Sequence, residues 1–142
     1  MIRVPNWVGD AVMAEPALRE LRRIFSEAHI TIVARPWVAG LFEGEGLADD
    51  VITIGDARGI VQTASLFLGS AKRLRRERFE LAVLLQNAFG AALLARASGV
   101  GMVAGYPTDG RRALLDYAVP LEPDYKTSHQ VRYYLNVAAR LE

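Results

Sequence analysis

The 142-residue sequence contains no cysteine. A disulfide framework, a thiolate metal site and a thiol nucleophile are therefore excluded for these residues. The first ten residues, MIRVPNWVGD, lack the long apolar core and the cleavage site of a secretory signal peptide. No stretch reaches the roughly 20 apolar residues that span a bilayer. We therefore expect neither a targeting segment nor a transmembrane segment.

The sequence also lacks an excess of charge of either sign, because 17 Lys and Arg residues oppose 16 Asp and Glu residues. A general nucleic-acid-binding protein usually carries a strong basic excess, so we expect no nucleic-acid partner. The 51% of hydrophobic residues is enough for a globular domain with a core. Only Lys72 and Lys126 are lysines. The preference for arginine suits bidentate recognition of phosphate or carboxylate groups, although a GC-rich genome gives the same bias.

Segments that are typical of strands alternate with helical patterns along the chain. Apolar residues at three- and four-residue steps predict a helix from Ala11 to Phe25. Pro16 removes one helical hydrogen bond, which predicts a kink or a restart there. The apolar segment Leu81–Leu85 is typical of a parallel strand covered on both faces. Other predicted strands are Ile2–Val4, His29–Ala34, Val51–Ile54 and residues 102–106, and other predicted helices are 60–74, 89–99 and 127–140.

This alternation predicts an α/β fold, in which a Rossmann-like parallel sheet has helices on both faces and residues 1–142 form one domain. Gly99 is placed to end one helix, and Thr127 with Gln130 forms a capping-box pattern that predicts the start of the last one. In such sheets, ligands bind outside the carboxyl ends of the strands, which we call the carboxyl edge. Residues that follow a strand are therefore the candidates for function.

Asp10 follows the first strand and so belongs to the carboxyl edge. One interpretation is a structural N-cap, because Asp is favoured at that position and near the positive end of a helix dipole. The other is a catalytic carboxylate, since the same dipole keeps the group ionised and able to accept a proton. The residues alone leave both interpretations open.

Asn6, Trp7 and Gly9 belong to the same turn as Asp10. Gly9 permits a left-handed backbone angle or the close approach of a ligand, and ordinary turn chemistry is the alternative for all three. Gln86 and Asn87 follow the fourth strand, where carboxamides contact either sugar hydroxyls and phosphate oxygens or free backbone groups of the next helix.

Arginines also occur in loops at the carboxyl edge. Candidates to hold an anionic substrate are Arg35, Arg58, Arg111 and Arg112, although each alone is more often a solvated loop residue.

Several other motifs fail on their context. The basic run Lys72–Glu80 precedes a strand, so it is interpreted as a solvated helix end rather than a phosphate site. The glycine pattern Gly99–Ala104 also precedes a strand, whereas a dinucleotide fingerprint follows one. Asp56 lacks the acidic pair and the lysine of a receiver domain. His29 and His129 have no ligand spacing with carboxylates, so we expect no metal site.

The segment RVPNWVGDAVMAEPALRELRRIF resembles the start of the ADP-heptose:lipopolysaccharide heptosyltransferases, a bacterial glycosyltransferase family, family 9. The similarity continues through ITIVARP, RRERFELAVLLQNAFGAALLARASGV and AGYPTDGRRALLDYAV to HQVRYYLNVAARL, and it covers essentially the whole chain. The Asn-Trp-Val-Gly-Asp turn and the strand followed by Gln86 and Asn87 are its most specific parts.

The resemblance implies a GT-B arrangement of two Rossmann-like domains, with the acceptor sugar lipid on the amino-terminal domain and most of the ADP-heptose on the other. It implies that Asp10 is the catalytic base of inverting heptosyl transfer to the inner core (Kdo–lipid A region) of lipopolysaccharide. Such a base must be ionised and within hydrogen-bonding reach of the acceptor hydroxyl. Neither a metal nor a cofactor is required, since donors, cations or a helix N-terminus can stabilise the leaving group. A cytoplasmic location follows, with peripheral contact at the cytoplasmic face of the inner membrane.

The sequence departs from the family pattern in two respects, because the first strand is short and no second domain follows within the 142 residues. We therefore expect an acceptor-side domain that lacks the donor-binding domain, is inactive alone, and self-associates through apolar residues exposed where that domain docks. Two alternatives remain: a non-catalytic sugar- or phosphate-binding module on the same fold, and a GT-B glycosyltransferase that uses another nucleotide sugar.

Overall fold

Six parallel strands form one sheet in the computed structural model, which describes residues 1–44, 46–56 and 58–142. The strand order is β3-β2-β1-β4-β5-β6, with β1 Ile2–Arg3, β2 Thr31–Ala34, β3 Asp50–Thr53, β4 Leu81–Leu84, β5 Met102–Gly105 and β6 Tyr117–Ala118. The helices are α1 Val8–Ile24, α2 Pro36–Ala39, α3 Ile60–Arg76, α4 Phe89–Ala97 and α5 Gln130–Ala139. The predicted Rossmann-like α/β fold is therefore confirmed.

The helices cover both faces of the sheet, as predicted. Helices α1, α2 and α5 pack on one face, where α5 lies against α1, and α3 and α4 pack on the other. The alternation of side chains along β1 sends Ile2 and Val4 to the first face and Met1 and Arg3 to the second. Because both faces are covered, the central strands are apolar along their length.

The strand order reverses between β1 and β4. From β1 the chain passes through α1 to β2 on one side, and from β4 it passes through α4 to β5 on the other side and the other face. The ends of the two strands remain joined, because the amides of Leu85 and Gln86 donate to the carbonyl of Arg3 at 3.0 and 3.2 Å. Connections that diverge in this way open a crevice at the carboxyl edge, which is the usual ligand position in this fold.

The helix does not restart at Pro16, because α1 continues through it as one helix of 17 residues. Proline removes the hydrogen bond to the carbonyl four residues earlier, here that of Val12. Val12 is an exposed residue and Pro16 is partly exposed, so water can satisfy that carbonyl.

The predicted capping box is also wrong. His129 is the N-cap of α5, and its Nδ1 accepts from the amide of Val131 at 3.2 Å. Thr127 lies in the preceding turn, where its Oγ1 donates to the carbonyl of Asp124 at 3.1 Å. The sequence analysis also omitted α2 and β6, because four and two residues are too few for a periodic pattern.

Candidate functional site

Asp10 lies at the carboxyl edge, in the first turn of α1. It is the third residue of the helix, and Trp7 is the N-cap, without a side-chain capping bond. The N-cap interpretation of Asp10 is therefore wrong, although the carboxylate still lies at the positive end of the helix. Gly9 is helical rather than left-handed, and the space beside its Cα is open. Asp10 is partly exposed.

The start of α5 lies beside Asp10. Burial raises the pKa of Tyr134 to about 12, and the negative charge of Asp10 contributes to the rise. A hydrogen bond with Gln130 acts in the opposite direction and lowers the pKa of Tyr134. Asp10 is therefore close enough to Tyr134 of α5 for its charge to act on the tyrosine.

Asn6 is held in place from two sides. Its Oδ1 accepts from Nη2 of Arg3 at 2.5 Å, and its carbonyl accepts from Nε1 of Trp37 at 2.7 Å. Trp7, the next residue, has 77% of its surface exposed. The turn before Asp10 therefore has a fixed backbone and presents a large aromatic side chain to solvent.

Arg3 is a polar residue of the site that the sequence analysis missed. It lies in β1, and only 2% of its surface is exposed although the side chain is charged. Its Nη1 donates to the carbonyls of Val4 and Val33 at 2.6 and 3.2 Å. Burial, together with the positive charge of Arg35, lowers the pKa of Arg3 to about 9, so the guanidinium stays charged near neutral pH. The signal in the sequence was an arginine within an otherwise apolar strand.

Arg35 follows β2 and is the N-cap residue of α2. Its Nη1 donates to the carbonyl of Gly55 and lies 3.9 Å from Oδ1 of Asp56. Its guanidinium also lies 6.0 Å from the ring centroid of Trp37, in cation–π contact. Its Nε is buried, and no acceptor for it exists among the described residues.

A cavity of about 340 Å³ lies between the carboxyl ends of the central strands and helices α3 and α4. Three of the predicted site residues line it, namely Asn6, Arg35 and Gln86, and Arg3 joins them. The other predicted site residues do not line this cavity; they are Asp10, Trp7, Gly9, Asn87, Arg111 and Arg112.

Arg111 and Asn87 connect the loops around the crevice. Arg111 has no exposed surface, and its Nε donates to the carbonyl of Tyr106 at 2.8 Å. Its two Nη atoms donate to the carbonyl of Gln86 and, at 3.2 Å, to Oδ1 of Asn87. Asn87 is also hydrogen-bonded to Tyr133 of α5. Burial raises the pKa of Tyr133, and this hydrogen bond partly lowers it again. The donors of Arg111 thus bind protein carbonyls, and the side chain positions the loop after β4.

The remaining predicted arginines, Arg112 and Arg58, are exposed at the carboxyl edge. The run Lys72–Glu80 lies at the end of α3, and its arginines and lysine are exposed. No group of three or more His, Asp or Glu side chains that could hold a metal ion occurs in residues 1–44, 46–56 and 58–142.

Large apolar side chains are exposed where the helices begin at the carboxyl edge. Trp7, Trp37, Ile60 and Phe89 have 77, 52, 89 and 45% of their surface exposed. They stand at the first turns of α1, α2, α3 and α4 or directly before them. None of the helices in the described part of the chain combines the length and the hydrophobicity that crossing a bilayer needs. The edge around the crevice is therefore an apolar rim, suited to contact with another surface.

Comparisons with known proteins connect this architecture to a family. Residues 68–142 match the model of glycosyltransferase family 9 (heptosyltransferase). Lipopolysaccharide heptosyltransferase 2 of Salmonella typhimurium is 27% identical over 124 residues, which are 84% of this chain and 34% of that protein. The chain therefore spans about a third of the length of that relative.

Two solved structures share the fold. ADP-heptose lipopolysaccharide heptosyltransferase II of Escherichia coli is 23% identical, with a TM-score of 0.81 over 96% of this chain and 39% of that one. The glycosyl transferase family 9 structure from Veillonella parvula is 20% identical, with a TM-score of 0.86 over 99% of this chain and 40% of that one. At these identities, the likeness shows the fold alone.

Proposed function

The chain belongs to glycosyltransferase family 9, and on this premise we propose that it forms the acceptor-side domain of a heptosyltransferase. In this proposal, Asp10 is the base of inverting transfer from ADP-heptose to the inner core (Kdo–lipid A region) of lipopolysaccharide. The observation that carries the proposal is the position of a partly exposed carboxylate in the first turn of α1, at the carboxyl edge of the sheet. The donor is held mainly by a further domain outside these residues.

The chemistry assigns one proton transfer to Asp10. The acceptor hydroxyl oxygen attacks the anomeric carbon, a new carbon–oxygen bond forms, and the bond to the nucleotide phosphate breaks with its electrons on ADP. The hydroxyl proton passes to Asp10, which lies in the first turn of α1. The fixed turn at Asn6 and Trp7 orients the acceptor, and Gly9 leaves space for its approach. The other side chains that orient the acceptor in this proposal are Arg35, Gln86, Asn87 and Arg112.

The apolar rim supports a peripheral role at a membrane. A lipid-linked acceptor places the reacting sugar close to a lipid surface, and exposed tryptophans such as Trp7 and Trp37 are suited to that interface. The same rim is where a donor-binding domain would dock, and two copies of the isolated chain would associate through it. These contacts involve no nucleic acid, cofactor or metal.

Asp10→Asn tests the proposal in a protein that joins residues 1–142 to a donor-binding domain. We expect kcat to fall by about 10²- to 10⁴-fold, the usual contribution of a general base, with little change in KM for the acceptor. The melting temperature should stay unchanged, because Asp10 is partly exposed. Glu15→Gln is the matched control, since it neutralises another partly exposed acid of α1. Transfer by Asp10→Asn at the wild-type rate would remove Asp10 from the mechanism.

A further inference from the structure

Helix α3 has a long side that is exposed to solvent. The buried residues of the helix are Ala71 and Leu74, which define its inner side against the sheet and α4. On the other side, exposed residues recur at steps of three and four, so they form one line along the helix. We call this line the outer stripe of α3, and it consists of Val61, Ser65, Leu68, Lys72 and Arg76.

The outer stripe is apolar where the helix begins and basic where it ends. Val61 and Leu68 have 82 and 66% of their surface exposed, and Ile60, the first residue of the helix, has 89%. A single exposed apolar side chain is ordinary on a soluble protein, whereas several on one helix indicate a contact surface. The helix is about 25 Å long, so the apolar and the basic parts together cover a large area.

The charge of α3 differs from the charge of the rest of the chain. The helix contains four of the 17 positive residues and none of the 16 acidic ones, so the remaining residues together are net negative. These four residues are Lys72, Arg73, Arg75 and Arg76, and none of them forms an ion pair with a carboxylate of the described residues. Positive charges that are concentrated on one surface attract a negatively charged partner.

We propose that the outer stripe of α3 binds the surface of an anionic phospholipid bilayer, with the helix parallel to the membrane plane. Basic side chains are attracted to anionic headgroups, and apolar side chains insert at the boundary between headgroups and acyl chains. A nucleic acid would use the positive charges, but it would leave Val61 and Leu68 without an apolar partner. The combination of the two parts on one side of the helix therefore favours a lipid surface.

This orientation brings the crevice next to the lipids. Ile60 opens α3 at the carboxyl edge and belongs to the apolar rim, so the outer stripe continues from the rim. The basic end of the helix precedes β4, at the opposite edge of the sheet, and it holds headgroups away from the crevice. The use of this contact, access to a lipid-linked acceptor, rests on the proposed function, whereas lipid binding itself rests on the residues of α3.

The first experiment is flotation of the 142-residue chain with vesicles. Neutral vesicles contain phosphatidylcholine alone, and anionic vesicles contain equal parts of phosphatidylcholine and phosphatidylglycerol. We expect the chain to float with the anionic vesicles only, and to float less as salt is added, because salt screens the attraction between the basic residues and the headgroups.

Paired variants test the charge. Lys72→Gln combined with Arg76→Gln should weaken binding to the anionic vesicles by more than tenfold, since each basic residue near such a surface contributes about fivefold. Lys126→Gln combined with Arg132→Gln is the matched control, because it removes the same charge from two exposed residues outside α3. The control should bind like the wild-type chain.

A second pair of variants tests the apolar part. Leu68→Ser should weaken binding by about fivefold or more, because an inserted leucine loses its apolar burial. Val12→Ser is the control, since Val12 is an apolar residue of α1 with 55% of its surface exposed. All four replaced side chains of α3 and α1 are exposed, so the melting temperature should stay unchanged.

A fluorescent label gives a readout at a defined position, because the chain contains no cysteine. Ser65→Cys places an environment-sensitive dye on the outer stripe, and Ser26→Cys places it at an exposed position after α1. We expect the emission of the dye at position 65 to increase and shift to shorter wavelength with the anionic vesicles, while the dye at position 26 stays unchanged.

The proposal is overturned if the chain does not float with anionic vesicles, or if a control variant weakens binding as much as its α3 counterpart. Tighter binding to a short RNA duplex than to the anionic vesicles would assign the basic residues to a nucleic acid and would also overturn it. Flotation needs no turnover, so Asp10→Asn should float like the wild-type chain even though it loses transfer. Failed flotation therefore leaves the role of Asp10 in place, and an active Asp10→Asn enzyme leaves lipid binding by α3 in place.

Discussion

Replacing Arg111 with methionine should destabilise the fold more than any change at the neighbouring Arg112. Arg111 is fully buried and donates to the carbonyls of Tyr106 and Gln86, to Oδ1 of Asn87 and, at 3.4 Å, to the carbonyl of Ala88. It therefore ties the loop after β4 to the loop after β5. Methionine fills a similar volume but leaves these acceptors without their donors.

The magnitude follows from two opposing effects. Counting only the bonds to Tyr106 and Gln86, the loss of charge-assisted hydrogen bonds costs about 3–6 kcal/mol. Part of this is returned because a buried cation no longer has to be desolvated, the same effect that lowers the pKa of Arg111. We expect a net loss of about 2–4 kcal/mol in the free energy of unfolding. For a domain of this size, the melting temperature should fall by about 10 °C.

The assay is urea denaturation followed by far-ultraviolet circular dichroism. Arg112→Met is the control and should change the free energy of unfolding by less than about 0.5 kcal/mol, because Arg112 is exposed. Arg111→Lys should resemble Arg111→Met, since a single ammonium cannot reach acceptors on two loops. If Arg111→Met unfolds at the wild-type urea concentration, the guanidinium does not hold these loops together and the reasoning is refuted.

Two further changes test the packing around the sheet. Gly105→Ala would place its Cβ 3.1 Å from both Cβ and the carbonyl oxygen of Leu84, so it should destabilise the fold by about 1–3 kcal/mol. Gly69→Ala in α3 meets nothing within 4 Å and should instead stabilise by up to about 1 kcal/mol, and equal effects of the two changes in thermal melts would contradict this. The pKa of Asp116 is lowered because its carboxylate accepts a hydrogen bond from Arg96. The ionised carboxylate therefore stabilises the fold at a pH above its unfolded pKa, and this stabilisation is lost as the pH falls through its folded pKa. Asp116→Asn should therefore lower stability at pH 7 and flatten the loss below about pH 4, and an unchanged acid limb of the stability curve would argue against this role.

The sequence was sufficient to predict which residues reach the carboxyl edge. The order of strand and helix alone places Asp10, Arg35 and Gln86 there, because each lies in the connection or the first helical turn after a parallel strand. The effect of Pro16 within α1 was less predictable. A kink or a restart was expected there, but the helix does not restart, because its solvent side tolerates the missing hydrogen bond.

Burial of the arginines was not predictable from local sequence. Arg111 and Arg112 are neighbours of the same type, yet one is fully buried and the other is exposed. The difference depends on acceptors such as the carbonyl of Gln86, which lies 25 residues away along the chain. Arg3 is a similar case, since its acceptor on β2 is 30 residues away. Contacts of this kind arise from the strand order and leave no periodic pattern.

The strand order also separates the charged cavity from Asp10. Arg3 lies in β1 and Gln86 follows β4, the two neighbouring strands at which the order reverses, and both line the charged cavity on the face of α3 and α4. Asp10 lies in α1, which packs with α5 on the other face. A base close to Arg3 would form an ion pair with it and become a weaker proton acceptor. The two charges lie on opposite faces of the sheet, with the turn at Asn6 between them, and this placement keeps the carboxylate and the guanidinium from pairing.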